Sequence, residues 1–239
     1  MTETFLLGRS AVVTGGTKGI GFSIAQALSE AGADVVICGR TEEAVDQAVS
    51  ELTKRAKSKV AGKAADVRRS TEVADLFAFA DQQLGGLDIL VNNAGLGIFR
   101  STLQLTNEEW QTTLETNLSG VFYCSKEALT RMVKRAAGYI INIGSLAGKN
   151  AFAGAAAYNA SKFGLRGFSE AMMLDHRYDN VRVTHIMPGS VDTDFSTRSG
   201  GAEWKIAPED IGQIVLMLLR MPERTLVSQV EVRPSKPKK

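Results

Sequence analysis

The chain has 239 residues, 44% hydrophobic and 23% charged, with 23 Gly and 5 Pro. A chain of this length buries roughly 70% of its unfolded surface and needs no disulfide or structural metal to fold, and its apolar content excludes intrinsic disorder. Lys and Arg number 28 against 26 Asp and Glu, a net charge of +2, too mild for a nucleic-acid protein, which needs a strongly basic face.

The two cysteines, Cys38 and Cys124, form no Cys-x-x-Cys pair and read as small buried reduced hydrophobes. The first nine residues carry no cationic segment followed by a long apolar one. No apolar run approaches the roughly 18 residues of a membrane span. A cytoplasmic protein with no membrane and no nucleic-acid partner is expected.

Residues 10–14 are a short apolar run and predict a buried strand. Gly15 to Gly21 is glycine-rich. Ile24, Ala25, Ala27, Leu28 and Ala31 then recur at helical spacing until Gly32. Residues 34–38 predict a second strand, and Thr41 caps a helix with Ala44, Val45, Ala48, Val49 and Leu52 inward. Residues 60–65 are a third strand. Ser70 or Thr71 opens a helix with Val73, Leu76, Phe77 and Ala80 inward, and residues 87–91 are a fourth strand. One helical region holds Trp110, Leu114, Leu118, Val121 and Phe122. Strand 139–143, a helix from about Tyr158, and strand 181–187 follow. Pro208 sits in the first turn of a further helix, and residues 227–232 form the last strand. Strands alternating with helices predict a single-domain, α/β, Rossmann-type doubly wound parallel sheet of about seven strands with helices on both faces. Residues 1–233 form that domain and 234–239 a short, loose basic tail.

Thr14-Gly15-Gly16-Thr17-Lys18-Gly19-Ile20-Gly21 joins the first strand to the first helix. Glycines let the backbone turn sharply and approach a ligand, and the helix N-terminus offers free N–H groups to a phosphate. The spacing is Gly-x-x-x-Gly-x-Gly. It also fits the start of a P-loop, but Phe22 stands where the phosphate-binding Lys must be, so an NTPase reading fails. Dinucleotide folds that take NAD place an acid at the end of the second strand. Here that end is Cys38-Gly39-Arg40. Arg40 offers a planar cation suited to a 2′-phosphate, and Lys18 adds a second. Both favour NADP(H).

Tyr158 and Lys162 stand at i and i+4, on one helix face. A phenol is a poor acid or base at neutral pH. An ammonium alongside favours the phenolate and lowers its pKa, which makes the pair acid–base machinery. The pair follows a strand ending Ile143-Gly144-Ser145. Asn92-Asn93-Ala94-Gly95 and Pro188-Gly189-Ser190-Val191-Asp192-Thr193 end strands at the same edge, where open α/β sheets bind ligands.

Taken with Asp66 and Asn117, these motifs resemble, in order and over essentially the whole length, the short-chain dehydrogenase/reductase family. The resemblance implies a proton donated by Tyr158 to a substrate carbonyl oxygen, which Ser145 orients. It implies that Lys162 lowers the Tyr158 pKa and holds the nicotinamide ribose, and that Asn117 positions a water passing protons to Lys162. For the cofactor it implies Gly15, Thr17, Lys18, Gly19, Ile20 and Gly21 at the pyrophosphate and Arg40 at the 2′-phosphate. Asp66 would bond the adenine amine with Val67 against the ring, and Asn93, Ala94 and Gly95 would line the adenosine side. Pro188, Gly189, Val191 and Thr193 would contact the nicotinamide. The family also implies a dimer or tetramer through the helices near 107–135 and 158–176.

The implied function is NADPH-dependent reduction of a small-molecule ketone or aldehyde to an alcohol. Phe99, Leu146, Phe152, Phe195 and Trp204 are candidate apolar walls, and Gly200-Gly201 predict a flexible stretch. One alternative is a 3-oxoacyl-(acyl carrier protein) reductase, for which Arg131, Lys134 and Arg135 are a candidate basic patch. Another is an NADP-binding regulator with weak catalysis. A serine hydrolase fails because Ser145 lies in Gly-Ser-Leu-Ala-Gly. His176 and His185 read as structural, and two His and two Cys show no metal-ligand spacing.

Overall fold

The computed structural model describes residues 4–193, 195 and 203–237. Its strands are β1 (Ser10–Val13), β2 (Asp34–Gly39), β3 (Val60–Ala64), β4 (Ile89–Asn92), β5 (Gly138–Ile143), β6 (Val181–Pro188) and β7 (Gln229–Val232). They pair in parallel in the order β3-β2-β1-β4-β5-β6-β7. Continuous apolar runs form the central strands because both faces are covered. Along β1, Ala11 and Val13 enter one core and Val12 the other.

Helices α1 (Gly19–Glu30), α2 (Glu42–Thr53) and α7 (Pro208–Arg220) cover the first face. Helices α3 (Ser70–Leu84), α5 (Gly120–Arg135) and α6 (Ala156–His176) cover the second. The chain leaves β1 toward β2 on one side and meets β4 on the other. That reversal opens a crevice at the carboxyl ends of the strands, where the loops diverge.

Some boundaries differ from expectation. The helical region around residues 110–122 is broken. Helix α4 (Asn107–Leu114) begins at a capping box between Thr106 and Glu109, and a wide π turn, Glu115–Ser119, joins it to α5. Hydrophobic periodicity does not distinguish one extra residue in a turn. Helix α6 begins at Ala156, two residues before Tyr158, and β7 begins at Gln229. In the tail, Pro234 and Pro237 border the crevice. Residues 238–239 and the Gly200-Gly201 stretch lie outside the described residues.

Beneath the crevice runs a buried polar ladder. Asn92 Nδ2 donates to Asn142 Oδ1 at 2.8 Å and to Ser125 Oγ at 3.0 Å. Asn142 Nδ2 donates to Ser169 Oγ at 2.9 Å. The ladder ties β4 and β5 to α5 and α6, fixing the height of the helix that carries Tyr158. Beside it, His185 is 1% exposed, with both ring nitrogens lacking a hydrogen-bond partner. Burial is the main force pushing its pKa down to about 4, so the ring is neutral. A Cβ on Gly144 would lie 2.0 Å from His185 Nε2. Both cysteines are buried free thiols, and burial pushes Cys38 up to about 11.

Candidate active site

The crevice is a cleft of about 1200 Å³. Its first wall is the glycine loop. Gly19 has φ +56 at the entry to α1, and a Cβ on Gly21 would meet the Gly15 carbonyl oxygen at 2.2 Å. Helix α1 has no acidic residue in its first turn and no side chain capping its N-terminus. Its positive end is left for an anion. Thr14 Oγ1 receives the N–H groups of Asn93 and Ala94 at 3.0 and 3.1 Å. Asn93 Nδ2 donates to the Thr14 and Gly15 carbonyls at 3.1 and 3.0 Å. The expected adenosine-side Asn93 therefore uses its amide to staple the loop to β4.

Gly15, Thr17, Lys18, Gly19 and Ile20 border the cleft, and Gly21 packs behind them. Gly39 is required because a Cβ there would press on Thr17 Cγ2 at 2.5 Å. Arg40 follows on the cleft wall. Lys18 and Arg40 are exposed and carry no ion pair with the described residues.

Asp66 borders the cleft with a partner of its own. Arg68 Nε donates to both its carboxylate oxygens, at 3.0 and 2.9 Å. The Arg68 hydrogen bond holds the carboxyl below its usual range. Asp66 thus presents an ion pair to the cleft rather than a lone carboxylate. Arg68 is a third guanidinium or ammonium group on this wall that sequence reading missed. The only signal for it was its place two residues after Asp66. Val67 is buried and packs on Gly120.

The tetrad expected from sequence is brought together in part. Tyr158 and Ser145 face each other, and Lys162 reaches the Ile143 carbonyl at 3.1 Å, 5.8 Å from the Tyr158 ring centre. Ser145 Oγ also accepts from the Ala147 N–H at 3.1 Å. Asn117 sits in the π turn, 0% exposed, and its side chain is fully engaged. Oδ1 accepts from the Leu96 N–H at 2.8 Å, and Nδ2 donates to the Leu96 carbonyl at 2.9 Å and to Ser161 Oγ at 3.0 Å. Through its side chain Asn117 locks the strand-end loop against α6.

Burial sets the electrostatics of the pair. Burial pushes the Tyr158 phenol above its ordinary value, and the Ser145 hydroxyl only partly offsets this. Lys162 is itself the shifted partner. Desolvation lowers its pKa to about 8, since its ammonium has lost water and gained one carbonyl.

Beyond Lys162, Pro188 ends β6 and the Gly189 N–H donates to the Val232 carbonyl at 2.8 Å. Val191 pairs with Ile206 in an isolated bridge, and Thr193 abuts Gly19. The sequence of residues 9–203 matches the family model of the short chain dehydrogenases. The chain belongs to this family.

The similarity extends to whole chains. An uncharacterised oxidoreductase of Staphylococcus aureus is 34% identical over 232 residues, covering 97% of this chain and 99% of its own. A Thermococcus sibiricus alcohol dehydrogenase complexed with 5-hydroxy-NADP superposes with TM-score 0.89 at 26% identity, covering 97% of this chain and 99% of its own. A metagenomic short-chain oxidoreductase in complex with NADP gives 0.86 at 33% identity, with the same coverage. A variant of the actinorhodin polyketide ketoreductase with NADPH gives 0.87 at 31%, covering 95% and 96%.

In this short-chain dehydrogenase the five candidate apolar walls, Phe99, Leu146, Phe152, Phe195 and Trp204, all border the cleft. The Arg131, Lys134 and Arg135 patch is elsewhere. It lies at the C-terminal end of α5, where Arg135 pairs with Asp88 just before β4, at the opposite sheet edge. Arg131 is held by Asp81 and Glu127. No described helix is long and apolar enough to cross a membrane, and no group of metal-ligating side chains occurs among the described residues.

Proposed function

We propose that the protein reduces a small ketone or aldehyde to an alcohol with NADPH. The observation that carries this reading is the buried Tyr158 phenol, paired with the Ser145 hydroxyl in the cleft that also holds the glycine loop. The cradle fits a dinucleotide: glycines stand where a Cβ would collide, and Lys18 and Arg40 border it without ion pairs among the described residues. When bound, NADPH supplies the hydride. The chain supplies orientation and the proton. Ser145 donates a hydrogen bond to the carbonyl oxygen and fixes its distance from Tyr158. The raised phenol stays protonated at neutral pH, so the site rests loaded for proton donation, the direction of reduction. Below about pH 8 the Lys162 ammonium is retained, and it stabilises the phenolate left after transfer.

Tyr158→Phe tests this. The variant should bind NADPH as tightly as the wild type and lose at least 100-fold in carbonyl turnover, within the usual contribution of one general acid, about 10²- to 10⁴-fold. Turnover within threefold of wild type would remove Tyr158 from the chemistry. Cofactor binding with no turnover of any carbonyl by the wild type would favour the regulator reading. The basic patch offered for the carrier-protein alternative lies at the other end of the sheet from the cleft, and its arginines are paired. Self-association through α5 and α6 is supported by Phe122 and Phe163, exposed on those helices at 45% and 44%. Sedimentation of a Phe122→Asp variant would reveal a smaller species if it holds.

A further inference from the structure

The end of the cleft beyond Tyr158 is built for a flat, uncharged group. Phe99 meets the Tyr158 ring edge-on, with centroids 5.6 Å apart at 68°. Phe195 leans on the other side at 5.8 Å and 51°. Phe152 extends the wall from Phe99 at 6.1 Å. Gly97 lies under the junction: a Cβ there would strike Phe99 at 2.8 Å and Phe195 at 2.9 Å. The three phenylalanines are 41%, 51% and 45% exposed, so the described residues leave much of each ring uncovered. Single exposed aromatics are ordinary, but two against the proton donor and a third continuing from them form a patch that a ligand can cover.

Charge at this end differs from charge at the glycine loop. Lys149 and Arg233 both pair with Glu231, Arg100 pairs with Glu109, and Lys205 with Asp192. Lys149 and Arg233 share one carboxylate, and Lys162, 5.8 Å from the Tyr158 ring, is held by the Ile143 carbonyl, whereas Lys18 and Arg40 have no ion pair among the described residues. A carboxylate or phosphate laid against the three phenylalanine rings would lose its water without gaining a partner from them, an unfavourable exchange.

We propose that the substrate is an uncharged aryl ketone, its ring held between Phe99, Phe152 and Phe195 while its carbonyl meets Tyr158 and Ser145. This rests on the reductase reading. An aryl ring stacks edge-on or offset against phenylalanines and gains beyond its buried area. A saturated ring of the same size gains only the area.

The test compares kcat/KM with NADPH for acetophenone, cyclohexyl methyl ketone and phenylglyoxylate, in wild type and in Phe152→Ala and Phe99→Leu. The expected result is an aryl over cyclohexyl preference of tenfold or more, and phenylglyoxylate at least tenfold below acetophenone. In Phe152→Ala the aryl preference should fall toward unity, mainly through KM. A cyclohexyl ketone reduced as well as the aryl one, or phenylglyoxylate reduced better than either, would overturn the proposal while leaving the reductase reading intact. An aryl preference unchanged in both variants would equally overturn it. NADPH binding without reduction of any of the three, or of a wider panel of aldehydes, would defeat the parent reading and this one with it.

Discussion

Arg40→Ala isolates the basis of cofactor choice. Arg40 is exposed on the cleft wall and pairs with none of the described residues, so its removal strands no buried partner. Its only expected loss is the contact with a 2′-phosphate. A hydrogen bond to a charged group contributes about 1.5–3 kcal/mol. At about 1.4 kcal/mol per decade, that is roughly a 10- to 150-fold weaker NADPH complex. NADH has a neutral hydroxyl at that place and should lose about 1 kcal/mol at most, roughly fivefold. Fluorescence titration of both cofactors, at low and high salt, measures this. The NADPH preference should shrink by at least about twofold and by up to about 150-fold. Wild-type NADPH binding should weaken with salt more steeply than that of the variant, because exposed charges are screened. Equal loss for both cofactors, or no loss for either, would refute the argument that unpaired cations at the end of β2 read the phosphate.

Gly144→Ala places a Cβ 2.0 Å from His185 Nε2, a ring with no room to retreat. Overpacking of that kind costs about 3 kcal/mol or more, roughly 6–12 °C in Tm for a chain this long. The cost should shrink in a His185→Ala background, and strict additivity in a double-mutant cycle would count against direct collision. His185 itself gives an acid limit. Its pKa is 6.5 unfolded and about 4 folded, so only the unfolded state gains a proton between those values. Its contribution is intact above pH 6.5 and lost as pH falls toward 4, up to about 3 kcal/mol. Urea unfolding at steps from pH 7 to 4 should show a shallower decline for His185→Leu than for the wild type, and identical slopes would remove His185 as the cause.

Most of the fold was legible because its signals are local. The apolar runs at Ala11–Val13, Val35–Ile37 and Ile140–Ile141 declare buried strands by composition alone. The Tyr158–Lys162 pair and the glycine loop are defined by spacing along the chain, so each could be found without coordinates. The π turn at Asn117 was hidden, since a helix with one extra residue keeps almost the same hydrophobic period. The partners of Asn117 were hidden too, because Leu96 and Ser161 are brought to it by β4 and α6.

Sequence alone determined the class of the protein, the order of its motifs and the residue types available for chemistry, because periodicity and spacing are properties of the chain. The tertiary structure alone decided which charges are free. Arg68 and Asp66 are close in sequence, yet it is the folded geometry that makes both carboxylate oxygens accept from one guanidinium. Burial, which no local pattern measures, raises Tyr158 and lowers Lys162 to about 8. Folding also moves Arg135 to the far edge of the sheet, sets Phe99 and Phe195 against one phenol and brings Phe152 against Phe99, from three separate loops. Desolvation and ion pairing depend on which surfaces meet in space, and that is fixed only when the sheet closes its order.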